Sequence, residues 1–155
     1  MMHILIAFIF YLTVSSAFGT AIGGYEGDTP NVELQVSVNG QAIAGERELE
    51  KLSSTVTEQE LRAAFDQSLI SLTKGQSVQL TVEMIEPNGM RSDVTADPAM
   101  FYDAVGKGAL SVSNDGLVTA LSDSSGATIG QLLVLYNTPE KSGFNYVYFD
   151  TDPDK

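Results

Sequence analysis

"VSNDGLVTAL", residues 112–121, decides how the rest of the chain is read. A short apolar stretch runs into Asn114-Asp115-Gly116 and comes straight back as a second apolar stretch. Asn and Asp tolerate tight reversals, and Gly116 is the natural carrier of a positive φ, so the segment predicts a β-hairpin. Either Val118 and Ala120 or Leu117 and Leu121 reach the core from the returning strand, and local pattern leaves both registers open.

The same grammar extends in both directions. "VELQVSV" (32–38) alternates strictly, with Val32, Leu34, Val36 and Val38 on one side, the period of a half-buried strand. Asn39-Gly40 favours a tight hairpin, and "QAIA" supplies a short return. "SVQLTVEM" (77–84) places Val78, Leu80, Val82 and Met84 on one face; Pro87-Asn88-Gly89 then turns the chain into "RSDVT". "DPAMFYDAVGKG" (97–108) reads as an irregular loop whose Phe101 and Tyr102 plug the core. "TIGQLLVLY" (128–136) is nearly all apolar, as expected of a central strand covered on both faces. "FNYVYF" (144–149) closes the series. Six or seven short strands at this spacing predict a mainly β chain folded as an immunoglobulin-like β-sandwich.

One stretch breaks the pattern. "ERELEKL" and "TEQELRAAFDQ", between residues 46 and 67, are rich in Glu, Leu, Ala and Arg and contain neither Pro nor Gly. Thr57 with Glu60 three residues on is a capping box, and Leu61, Ala64 and Phe65 form a narrow apolar stripe. A short N-terminal helical element is therefore expected, packed over one end of the sandwich or docking a partner.

The chain has 155 residues, no cysteine, and a formal net charge of −12 from 20 acidic and 8 basic side chains. "ILIAFIFYLTV" (4–14) is an uncharged apolar run of eleven residues, the length of a signal-peptide core and short of the about 20 that span a bilayer. Small residues follow, so cleavage after Ala17, Gly19 or Ala21 fits a secreted, periplasmic or cell-surface protein; an uncleaved anchor is the alternative. Without disulfides, such a protein relies on its apolar core. All formal charge lies beyond Ala21, and an acidic surface excludes nucleic acid as a partner. The expected organisation is a signal at 1–21, a flexible leader at 22–31, a strand-plus-helix element at 32–68, the sandwich at 69–149 and an acidic tail at 150–155. Whether 32–68 completes the sandwich or forms a separate cap stays open.

"GQSVQLTV", "SDVTADPA", "LSVSNDGLVTAL" and "GATI" stand in series between residues 74 and 136. In that order they resemble a bacterial immunoglobulin-like domain of group 2, as found in surface adhesins of the intimin and invasin type. The resemblance covers about 60 of the 155 residues. It departs between Ala96 and Ala109, where the family carries a Trp and this chain has none. It implies a sandwich fold and an adhesion, binding or assembly role at the cell envelope, with a protein or envelope component as partner.

Catalytic chemistry is sparse. The only histidine is His3, inside the expected signal, so Ser-His-Asp and Cys-His nucleophiles and the usual zinc constellations are excluded from the remainder. "SLTK" (71–74) matches an S-x-x-K motif without its companions, in a chain too short for that enzyme fold. No catalytic residue or cofactor is assigned, and the chain is read as a non-enzyme. Asp150, Asp152 and Asp154 are spaced as in a calcium loop but lack its Gly and its distal Glu; a solvated tail is the simpler reading. Asp93, Asp97 and Asp103 are further oxygen donors for calcium. Tyr146 and Tyr148 alternate with Val147 and Phe149, so they line either the core or an exposed partner-binding edge. A calcium- or carbohydrate-binding accessory domain is the alternative function.

Overall fold

A computed structural model describes residues 30–105, 109–121 and 129–152. The expected signal (1–21), most of the leader, and Asp154 lie outside them. The elements are β1 (Glu33–Val38), β2 (Gln41–Ile43), α1 (Glu46–Ser53), α2 (Glu58–Ser68), β3 (Ile70–Ser71), β4 (Ser77–Ile85), β5 (Arg91–Asp93), β6 (Met100–Val105), β7 (Leu110–Val112), β8 (Leu117–Ala120), β9 (Ile129–Asn137) and β10 (Ser142–Asp150). They form a β-sandwich, as the strand grammar predicts. One sheet runs β2-β1-β4-β8-β7, with β5 also on β4; the other runs β3-β10-β9-β6.

Alternation decides what fills the space between the sheets. Leu34, Val36, Leu80, Val82, Met84 and Val118 come from the first sheet. Leu132, Val134, Tyr136, Val147 and Phe149 meet them from the second. The hairpin around Gly116 settles the open register: Val118 and Ala120 are buried and Leu117 is exposed. Gly116 has φ +81°, and a methyl group there would lie 3.3 Å from the Tyr102 hydroxyl. That phenol in turn donates to the Thr95 carbonyl at 2.7 Å, joining β6 to the segment after β5.

One expectation changes and one open alternative is decided. Residues 100–105 are not an irregular plug but a regular strand, β6, paired with β9 over its whole length. Met100 and Tyr102 point into the core, so the alternation "MFYDAV" is that of a strand. Of the two alternatives for residues 32–68, β1 takes the one in which the segment completes the sandwich. β1 pairs with six consecutive residues of β4 and lies inside the sheet, so the sandwich begins at Val32 rather than at Leu69.

The helices add a third layer. Thr57 caps α2, its hydroxyl accepting from the Glu60 N–H at 3.3 Å while the Glu60 carboxylate accepts from the Thr57 N–H at 2.8 Å. Leu49 and Phe65 pack on the outer face of the second sheet, against Leu133, Tyr146 and Tyr148. The helices therefore cover a sheet face, not an end of the sandwich. This explains why β9 is nearly all apolar: its inward residues meet the first sheet, and Leu133 meets the helical layer. No helix among the described residues is long and apolar enough to cross a membrane.

Candidate interaction surface

The outer face of the second sheet is built from three strands in register. Cross-strand pairing produces three rows: Phe101–Leu135–Phe144, Asp103–Leu133–Tyr146 and Val105–Gln131–Tyr148. The last member of each row, on β10, lies beneath the helical layer. Phe65 meets Tyr148 edge-on at 5.3 Å between ring centroids, and the Arg47 guanidinium sits 4.9 Å above the Phe144 ring. The first members, on β6, are beyond the reach of the helices. Phe101 is 54% exposed and Val105 42%, with the exposed Asp103 between them.

Polar side chains fix the helical layer to β10. Asn145 is buried, and its amide donates to the Leu34 carbonyl at 3.0 Å and to the Glu48 carboxylate at 2.9 Å. Its own carbonyl accepts from the Tyr146 N–H at 2.9 Å and the Arg47 N–H at 3.3 Å. One side chain thus ties together β1, α1 and β10. A second buried group lies one row away, where the Tyr148 hydroxyl donates to the buried Glu46 carboxylate at 3.1 Å. Burial and then the Glu46 charge hold the Tyr148 phenol above the usual tyrosine range; Tyr146 is raised by burial, Glu46 and Asp103. A phenol so placed stays neutral across the physiological range and acts as a hydrogen-bond donor.

Tyr146 and Tyr148 are therefore not an exposed edge. They are 8% and 4% exposed, because α1 and α2 close over them. β10 is also an interior strand. It pairs with β9 over its full length and with β3 at Phe149 and Asp150, and the Ser142 carbonyl accepts from the Asn31 and Val32 N–H groups. Among the described residues the sheet edge is β6, which pairs on one side only, with β9. Its outward alternation was legible in "MFYDAV" but masked by Pro98 before it and the two glycines after it, which suggest a loop.

The backbone of β6 shows which groups are open. The Asn137 N–H donates to the Ala99 carbonyl, so the peptide groups of Phe101, Asp103 and Val105 face β9. Those of Met100, Tyr102 and Ala104 face away. The Met100 N–H is already bonded to the Asp97 carbonyl, which leaves a template of Tyr102 and Ala104 flanked by Phe101 and Val105.

The aspartates named as calcium donors are used locally. The Asp150 carboxylate accepts from the Asp152 N–H, that of Asp93 from the Thr95 N–H and hydroxyl, and that of Asp97 from the Ala99 N–H. The Thr95 hydrogen bonds hold Asp93 below the ordinary carboxylate range. Asp103 stands apart on β6. No three potential metal ligands gather among the described residues. A crevice between α1 and β1, lined by Arg47, Lys51 and Glu33 among others, has a volume of about 10 Å³, room for one water.

Compared with known families and curated proteins, the chain matches no family model and no curated sequence.

Proposed function

We propose that the protein is an exported, non-catalytic immunoglobulin-like module that binds a protein partner at the bacterial cell envelope or surface. The observation that carries this reading is the β6 edge. Among the described residues this strand pairs on one side only, with Tyr102 and Ala104 turned away from β9, and it carries two exposed apolar side chains on its outer face. Isolated apolar residues are ordinary on surfaces, but Phe101 and Val105 share one face of an open edge, the geometry of strand-addition sites.

Three further facts support the reading. The motif series between residues 74 and 136 resembles envelope adhesin domains, the apolar run at 4–14 has signal length, and no His or Cys occurs beyond His3. Binding modules place function on a rigid scaffold, and the second sheet, packed on the first sheet inside and under the helices at β10, is such a scaffold. Cell fractionation of the full chain bearing a C-terminal tag, with intact-mass analysis, tests export. The expected result is an extracytoplasmic species shortened near Ala17–Ala21, crosslinking to an envelope protein through a photoreactive group at position 101. A full-length cytoplasmic species would overturn the reading.

A further inference from the structure

We infer that the β6 edge accepts an extended peptide segment of a basic–apolar partner, which adds as a fifth strand to the second sheet and places a Lys or Arg opposite Asp103, between two apolar residues that cover Phe101 and Val105. The inference rests on the protein-binding reading above and specifies the occupant.

Strand geometry sets the pattern. Side chains at alternate positions of an added strand share the outer face and stand directly opposite Phe101, Asp103 and Val105. The recognised segment therefore has the form apolar-x-basic-x-apolar, where the x residues point to the side of the sandwich closed by Tyr102. Tyr102 and Ala104 supply the outward N–H and C=O groups for the new ladder. Phe101 has room for an apolar neighbour at 54% exposure, and on its other side it pairs with Leu135.

Charge selects the occupant. The chain carries −12, and the one charged residue on the outer face of β6 is Asp103. A second copy of this chain is the wrong partner. A two-fold antiparallel pairing of β6 with itself centres on Tyr102, Asp103 or Ala104 and sets Asp103 against Phe101, its own counterpart or Val105, never against a basic residue. Like charges directly opposed across strands destabilise the pair, and the two net charges repel. An acidic partner meets the same obstacle. A basic residue opposite Asp103 converts the repulsion into attraction and is steered in by the field of the whole molecule.

The probe is the blocked heptapeptide Thr-Val-Thr-Lys-Thr-Val-Thr, titrated to millimolar concentration into the folded chain, with backbone amide shifts and hydrogen exchange as readouts. The expected result is binding that protects the Tyr102 and Ala104 amides, with the central-Glu peptide about five- to tenfold weaker. Asp103→Lys, an exposed substitution, reverses that preference. A dimer in sedimentation at the same protein concentration, protection elsewhere than β6, equal affinity for the two peptides, or no binding would each overturn the inference. A chain that is exported and crosslinks to an envelope protein without β6 protection sinks this inference alone, whereas failure of export sinks the functional reading.

Discussion

Asn145 shows how much of the assembly hangs on one side chain. It sits on β10, yet three of its hydrogen-bond partners belong to β1 and α1. Alanine there removes a donor from the buried Leu34 carbonyl and from the half-buried Glu48 carboxylate, and the expected loss is about 2–3 kcal/mol. Gly45 is the complementary position: an added methyl would fall 2.4 Å from the Asn145 amide oxygen. Gly45→Ala alone is expected to cost about 1–3 kcal/mol by overpacking. Because Asn145→Ala removes the obstructing amide, the double variant will cost clearly less than the sum, a coupling that urea midpoints measure directly. The tyrosines make a pH prediction. Burial raises Tyr102, Tyr146 and Tyr148 above the usual 10.0, and Glu46 adds to this at the last two. In the unfolded chain they ionise at the ordinary value, so above about pH 10 the unfolded state holds fewer protons and stability falls as pH rises. Below that pH the contribution is fully present. Tyr148→Phe lowers stability near neutrality by removing one hydrogen bond to the buried Glu46 carboxylate, but makes the alkaline decline shallower; circular dichroism in urea at pH values spanning 10 reads both.

At the scale of elements, α2 and the β7–β8 hairpin are held by different forces. Helix α2 is locally specified by the Thr57–Glu60 box, and Thr57→Ala is expected to cost about 1 kcal/mol. Its docking depends on Phe65, which is 6% exposed and meets Tyr148. Phe65→Ala removes that packing and is expected to cost about 3–5 kcal/mol. It should also raise hydrogen exchange in α1 and α2 more than in β4 or β8, because the layer lies outside the sandwich core; uniform deprotection would contradict this. The hairpin rests on backbone shape. Gly116→Ala, at φ +81°, is expected to cost about 1–2 kcal/mol with little change in β content by circular dichroism. Both elements were legible because their signals are short-range: a capping pair three residues apart, and a glycine that permits the turn. β6 was not, since flanking Pro and Gly outweighed an alternation whose outward side carries Phe101 and Val105 as well as Asp103.

On the scale of the whole molecule, the two sheets of the sandwich draw their strands from β1 through β10. β1 lies between β2 and β4, and its Leu34 and Val36 are at most 2% exposed. A fragment beginning at Leu69 loses that strand and leaves Leu80 and Val82 without their cross-strand neighbours Val38 and Val36. It is expected to stay unfolded, whereas residues 30–155 fold, and amide signal dispersion distinguishes the two. Surface ion pairs do little to change this balance. The exposed Lys51–Glu33 and Arg91–Glu83 pairs, at 2.8 and 2.9 Å, are of the kind that contributes under about 1 kcal/mol.

Period, turn chemistry and capping are local properties, and the sequence alone determined them. It supplied the alternating strands, the reversals at Asn39-Gly40 and Gly116, the helical break after Glu46, and the core sides of β1 and β4. Neighbour and face are different, because a strand's alternation marks two sides without saying which element covers each. Contacts between residues far apart in the chain set those choices. They put β1 inside the first sheet, laid α1 and α2 over Tyr146 and Tyr148, chose Val118 and Ala120 for the interior, and left the outer face of β6 open to solvent.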